Sequence, residues 1–155
     1  MAGASCSSTG SPGSGRAGSF EVARGAGVYA HLGRCQEGDG APPLWPWVQV
    51  LRAAFDARAP AALRALLDTG APDVVRVLPE LARRLADVGV APALASEQDR
   101  FRFFDTVARV LQRIAREKPL VIALDDLHRA DQPSLRLLRF LSVALVGHPV
   151  LLVGA

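Results

Sequence analysis

Lysine is almost absent from this chain. Its 155 residues carry 17 arginines and one lysine, Lys118, so any chemistry that needs a lysine has a single position to use. Cysteine is nearly as scarce. Cys6 and Cys35 are the only two, far apart and without metal-ligand spacing, which excludes a disulfide scaffold and a thiolate metal site. They read as reduced thiols of a cytoplasmic protein. No run of 18 apolar residues occurs, so a membrane-spanning helix is not expected. The first 19 residues lack the apolar stretch of a signal peptide. A block of like charge is missing too: the net charge is only +3, and the arginines are spread along the chain. With no aromatic and basic residues interleaved, direct nucleic-acid binding is not expected.

What is present is apolar. Half of the residues are hydrophobic and 21% are charged, enough material for a packed core and against wholesale disorder. The excess of arginine over lysine, with abundant alanine, points to a GC-rich genome, where truncated or shifted reading frames arise readily. Residues 1–25 are dominated by Gly, Ser and Ala and read as a flexible tail, since nothing there repays the entropy of ordering. Residues 26–155 read as one domain.

Within that domain, Val28–Leu32 between Gly27 and Gly33 is a short strand candidate. Residues 36–43 form a loop marked by Gly38, Gly40 and the Pro42-Pro43 pair. Trp45-Pro46-Trp47 opens a helix to about Ala57, with Trp47, Val48, Leu51 and Phe55 in one stripe. Shorter helices are expected near 60–68 and 72–87, the second interrupted at Pro79. The clearest helix spans 97–117. Ser96 caps it, Asp99 completes a variant capping box, and Phe104, Val107, Leu111 and Ile114 recur at helical spacing, widened by Phe101 and Ala108. Pro119 stops it. Leu120–Leu124 is a continuous apolar run, read as a strand of a parallel sheet buried on both faces. Asp131 then caps a helix whose buried line is Leu135, Leu138, Leu141 and Leu145, ended by Gly147. Residues 149–153 form a last apolar strand. The pattern is α/β with a parallel sheet and flanking helices.

Asp125 and Asp126 follow the central run directly. A buried strand ending in acids puts carboxylates at the carboxyl edge of the sheet, where ligands of open α/β sheets bind. On an extended backbone two neighbours point to opposite sides. One could hold Mg²⁺ while the other orients a water. The alternative is a strand that simply ends in solvated acids.

The longer stretch LVIALDDLHRADQPSLRLLRFL, from Leu120 to Leu141, resembles the Walker B region of the AAA-type, STAND-like ATPase module of large LuxR-type bacterial transcriptional regulators. That module is similar to the origin-recognition AAA ATPases. Arg129 stands where that family usually has tryptophan. GRCQEGDGAPPLWPWVQVLR, from Gly33 to Arg52, and EQDRFRFFDTVARVL, from Glu97 to Leu111, resemble its flanking segments. The resemblance implies a partial P-loop NTPase domain that binds ATP and Mg²⁺. Asp125 would be the metal ligand and Asp126 the acid that positions water, with His128 and Asp131 shaping the following loop. For His128 by itself, a loop histidine without a catalytic task is the preferred reading.

The phosphate cradle departs from the family. A P-loop needs G-x-x-x-x-G-K-[ST] after a strand, and Lys118 lies in the wrong place. The closest stretch is Gly10-Ser11-Pro12-Gly13-Ser14-Gly15-Arg16-Ala17, with arginine for the lysine and alanine for the hydroxyl. Gly10, Gly13, Gly15 and Arg16 are therefore the cofactor-binding candidates of a decayed P-loop, or else a chance match in a Gly/Ser-rich tail. In a family sheet of order 5-1-4-3-2, the strands found here would be 2, 3 and 4, with 1 and 5 missing. The last strand would be a bare apolar edge that invites self-association or a protein partner. A non-catalytic interaction module built on the same fold is the alternative function.

Overall fold

The computed structural model describes residues 27–36 and 40–155. It is a mixed α/β structure with a three-stranded parallel sheet and flanking helices. The elements are β1 (Tyr29–Arg34), α1 (Trp45–Asp56), α2 (Pro60–Leu67), α3 (Ala71–Val77), α4 (Glu97–Glu117), β2 (Leu120–Asp125), α5 (Gln132–Ala144) and β3 (Val150–Gly154). Short 3₁₀ turns lie at Asp68–Gly70, Pro79–Arg83 and Leu127–Arg129.

The sheet order is β1-β2-β3, with Tyr29 beside Leu120 and Leu120 beside Val150. This adjacency is the one expected for strands 2, 3 and 4, and no further strand occurs among the described residues. Among the described residues the central strand is fully buried on one face and half-buried on the other, where burial on both was expected. Leu120, Ile122 and Leu124 are fully buried, whereas Val121 and Ala123 are half-buried. Side chains alternate across a strand, so the second face carries Leu32, Val121, Ala123, Leu151 and Val153, of which Leu151 is 57% and Val153 43% exposed.

The helices pack on the first face. Gly33 shows how closely: a side chain there would run into the Pro46 carbonyl of α1 and the Leu124 methyl of β2. α1 buries Trp47, Val48, Leu51 and Phe55 as expected, and adds Val50 and Ala54. α4 begins at the Ser96 cap. The Ser96 hydroxyl oxygen accepts the Asp99 amide at 3.0 Å, while the Asp99 carboxylate accepts the Ser96 amide at 3.1 Å. Its stripe contains Phe104, Val107, Ala108, Leu111 and Ile114, but Phe103 rather than Phe101 joins the core. Phe101 is 62% exposed and stands edge-on to Phe140, ring centroids 5.6 Å apart. In α5 the buried line is Ser134, Leu137, Leu141 and Leu145, with Leu135 and Leu138 only half-buried. Leu141 and Leu145 are common to both lines, and only the N-terminal part of α5 is offset by one residue. The expected 72–87 helix ends at Val77, because Pro79 cannot donate the next hydrogen bond, and the chain continues as a 3₁₀ turn. No helix among the described residues is long and apolar enough to cross a membrane.

Candidate functional site

Asp125 closes β2 at the carboxyl edge of the sheet. Its carbonyl accepts the Cys35 amide at 2.9 Å, which continues the β1–β2 ladder one residue beyond β1. Its carboxylate Oδ2 lies 3.9 Å from Arg34 Nε, the neighbour in register on β1. The side chains of this pair are 65% and 28% exposed, so the ion pair is a weak, solvent-screened one.

Asp126 leaves the strand. Its backbone is left-handed, φ 56 and ψ 43, a conformation that aspartate tolerates better than most non-glycine residues. The two acids therefore do not alternate as on an extended ribbon, which corrects that part of the expectation. The chain turns at Asp126, and its carbonyl accepts the Arg129 amide at 2.8 Å, closing the 3₁₀ turn. Leu127 donates to the Ala155 carbonyl at 2.7 Å, and Ala155 in turn donates to Leu124 at 3.0 Å. The acid turn is thus tied to the end of β3. His128 is exposed, and Arg129 Nε donates to its Nε2 at 3.1 Å.

Asp131 is the N-cap of α5. Its Oδ1 accepts the Ser134 amide at 2.6 Å. Its Oδ2 accepts the Ser134 hydroxyl and the Leu44 amide, each at 3.0 Å. Trp47 Nε1 donates to the Ser134 carbonyl at 3.0 Å, in the interior.

Cys35 sits between these groups, free and 3% exposed. Burial pushes its thiol above the ordinary range, and the negative fields of Asp131, Asp126 and Asp125 add to the shift. All three carboxylates thus lie near enough to act on the Cys35 thiol. Among the described residues no group of three or more His, Cys, Asp or Glu side chains is arranged to hold a metal ion. An ion here would be a hard cation held by one carboxylate together with a ligand's oxygens and water, which is how Mg²⁺ is commonly bound.

Lys118 lies at the other end. It is the C-cap of α4, ahead of β2, with Nζ 5.5 Å from the Tyr29 ring centroid. The largest cavity described, about 390 Å³, opens at that same amino end, lined by residues such as Tyr29, His31, Arg58 and Lys118. It is not the place of the acids. Gly10, Gly13, Gly15 and Arg16 lie outside the described residues.

Of the residues to which the sequence drew attention, Asp125 ends β2, Asp126 and His128 belong to the 3₁₀ turn that follows, and Asp131 caps α5. No local sign in the sequence pointed to the Arg34–Asp125 pair, the burial of Cys35 or the Leu44–Asp131 bond. These arise only when β1 is laid beside β2.

Residues 9–153 match the family model of the AAA ATPase domain. No curated protein and no solved structure matches the chain.

Proposed function

The chain belongs to the AAA ATPase domain family, and from that premise we propose that it is the nucleotide-binding domain of a bacterial signalling or transcriptional regulator, working as a switch with little or no hydrolysis. Such domains bind ATP with Mg²⁺. The observation that carries the reading is the Asp125–Asp126 pair at the carboxyl edge of the central strand, followed by the turn and the Asp131 cap. On this reading the segment is a Walker B element. Asp125 is the Mg²⁺ ligand and Asp126, turned off the strand, orients the water.

Bound Mg²⁺ would neutralise charge on the triphosphate oxygens. The chain's own share is to hold Asp125 still through the Cys35–Asp125 bond and to present Asp126 from a fixed left-handed turn. Phosphate binding falls to the segment containing Gly10, Gly13, Gly15 and Arg16. The family match includes that segment, which supports a decayed P-loop over a chance resemblance. Arginine for lysine spreads the positive charge over a planar guanidinium, and alanine for the hydroxyl removes the metal-binding oxygen that a working P-loop supplies. On this reading hydrolysis is weak, and ATP is bound less tightly than by an intact P-loop.

Isothermal titration with ATP at millimolar concentration tests this. Mg²⁺-dependent binding is expected, with the Mg²⁺ dependence lost in Asp125→Ala and turnover no faster than background. Absence of any Mg²⁺-dependent binding to the unmodified protein would refute it.

A second reading, a docking module without nucleotide chemistry, draws support from the outward edge of β3, where Leu151 and Val153 are exposed. It predicts concentration-dependent association in sedimentation, reduced by Val153→Lys. A monomer at all concentrations rejects it.

A further inference from the structure

Two loops meet at the carboxyl edge of the sheet. One runs from β1 to α1, residues 35–44, and the other from β2 to α5, residues 125–131. They are fastened to each other at both ends. At the strand end, Cys35 donates its amide to the Asp125 carbonyl at 2.9 Å. At the helix end, Leu44 donates its amide to Asp131 Oδ2 at 3.0 Å. A third tie joins the helices that follow, from Trp47 Nε1 to the Ser134 carbonyl at 3.0 Å.

The helix-end tie is built against resistance. Leu44 is left-handed at φ 66 and fully buried, a conformation that costs a leucine energy and persists only when its surroundings impose it. A leucine amide at that position has no helical partner, because it precedes the first turn of α1. Asp131 supplies the acceptor. A simple N-cap needs one oxygen. Asp131 uses both, Oδ1 for the Ser134 amide and Oδ2 for Leu44 and the Ser134 hydroxyl. The second oxygen serves the other loop.

We propose that Asp131 is a positioning residue that locks the start of α1 to the acid turn, so that Leu44, Cys35, Asp125 and Asp126 move as one unit. This rests on the nucleotide-site reading for its consequence, but not for the lock itself. If nucleotide binds at the acid pair, a rearrangement there passes through Asp131 and Leu44 directly to α1.

The test separates the lock from the cap. Asn at position 131 keeps a good helix cap but offers only one carbonyl oxygen in place of two acceptors. Amide exchange is followed by NMR in the nucleotide-free protein and in Asp131→Asn, with Asp131→Ala as the second variant. In Asp131→Asn the Ser134 amide stays protected, whereas the amides of Leu44, Cys35 and Arg129 exchange together at least tenfold faster. Thermal midpoints check that both variants are folded. Acceleration confined to residues 132–135, with Leu44 and Arg129 exchanging at the wild-type rate, makes Asp131 a cap alone and overturns the proposal. Mg²⁺–ATP titration of the same variants reads the consequence: affinity falls at least fivefold in Asp131→Asn. If the unmodified protein binds no nucleotide, the functional reading fails, and the exchange pattern alone decides the lock.

Discussion

Gly33→Ala is the substitution with the clearest structural arithmetic. The residue lies on β1 in register with Leu124 and faces α1. A methyl group built there clashes with the Pro46 carbonyl oxygen, comes within 2.9 Å of its carbon and within 3.1 Å of Leu124 Cδ2. Carbon contacts settle at about 3.5–4.0 Å, so something must move by roughly 1 Å. The main obstacle is backbone, at the first turn of a helix whose Trp47, Leu51 and Phe55 are fully buried, and it cannot swing aside as a side chain would. Overpacking of this kind costs about 1–3 kcal/mol, and a backbone obstacle belongs at the upper end. Against it stands a gain of about 0.4–1 kcal/mol, because alanine has fewer unfolded conformations to lose. The net expectation is a loss of about 2 kcal/mol, which for a chain of this length lowers the melting temperature by about 4–8 °C. Gly89→Ala, where nothing lies within 4 Å, is the control and should be neutral or slightly stabilising. Differential scanning fluorimetry with calorimetric confirmation reads both. A Gly33→Ala protein melting with or above the wild type would refute the packing of β1 against α1 described here.

Gly70 gives a companion test, because a methyl there meets the Thr106 side chain, with Oγ1 at 3.1 Å and Cβ at 3.3 Å. Gly70→Ala should destabilise by about 1–3 kcal/mol, and Gly70→Ala/Thr106→Ala should recover part of the loss in a double-mutant cycle. The two ends of α4 make stability pH-dependent. Hydrogen bonds from Ser96 hold the Asp99 carboxyl below its ordinary range, and Arg58 does the same for Glu117. Because both folded values lie below the unfolded ones, their support is complete above about pH 4–5 and is lost as the pH falls through the folded values. Ser96→Ala/Arg58→Ala should therefore flatten the acid limb of melting temperature against pH, and an unchanged limb would contradict these pairings. In a Cys6→Ser background, the buried Cys35, its thiol raised by burial and by Asp131, Asp126 and Asp125, should alkylate at pH 8 at least tenfold more slowly than in denaturant. Equal rates would place the thiol at the surface.

The pieces legible in the sequence are those whose cause lies within a few residues. Ser96 and Asp99 cap each other three positions apart, and α4 begins and ends where that cap and Pro119 put it. Asp131 announces α5 in the same way, and the apolar run before Asp125 announces β2. What the sequence misplaced depends on a partner distant along the chain. Phe101 and Phe103 are equally apolar, and only the packing of α4 against α3 and α5 decides that Phe103 enters the core while Phe101 stays outside. The N-terminal part of α5 turns Ser134 and Leu137 inward instead of Leu135 and Leu138 for a like reason: it packs on α1, where Trp47, 87 positions before Ser134, donates to the Ser134 carbonyl. Leu120–Leu124 shows the limit of a composition argument: apolar residues on both faces say that the strand can be covered twice, not that it is.

The candidate site follows the same division. Its acids could be named because a strand followed by carboxylates is a local pattern. Its stiffness could not, because both ties between the loops join residues about 90 positions apart, Cys35 to Asp125 and Leu44 to Asp131. The parallel register explains why they form at all. Once Tyr29 sits beside Leu120, Arg34 must sit beside Asp125, and the first residue past each strand is delivered to the same edge. One register choice therefore places a cation, a thiol and an acid turn together. A slip of one residue would turn Leu120, Ile122 and Leu124 to the uncovered face and separate Arg34 from Asp125 in the same movement. The burial that holds the sheet together is thus also what assembles the site.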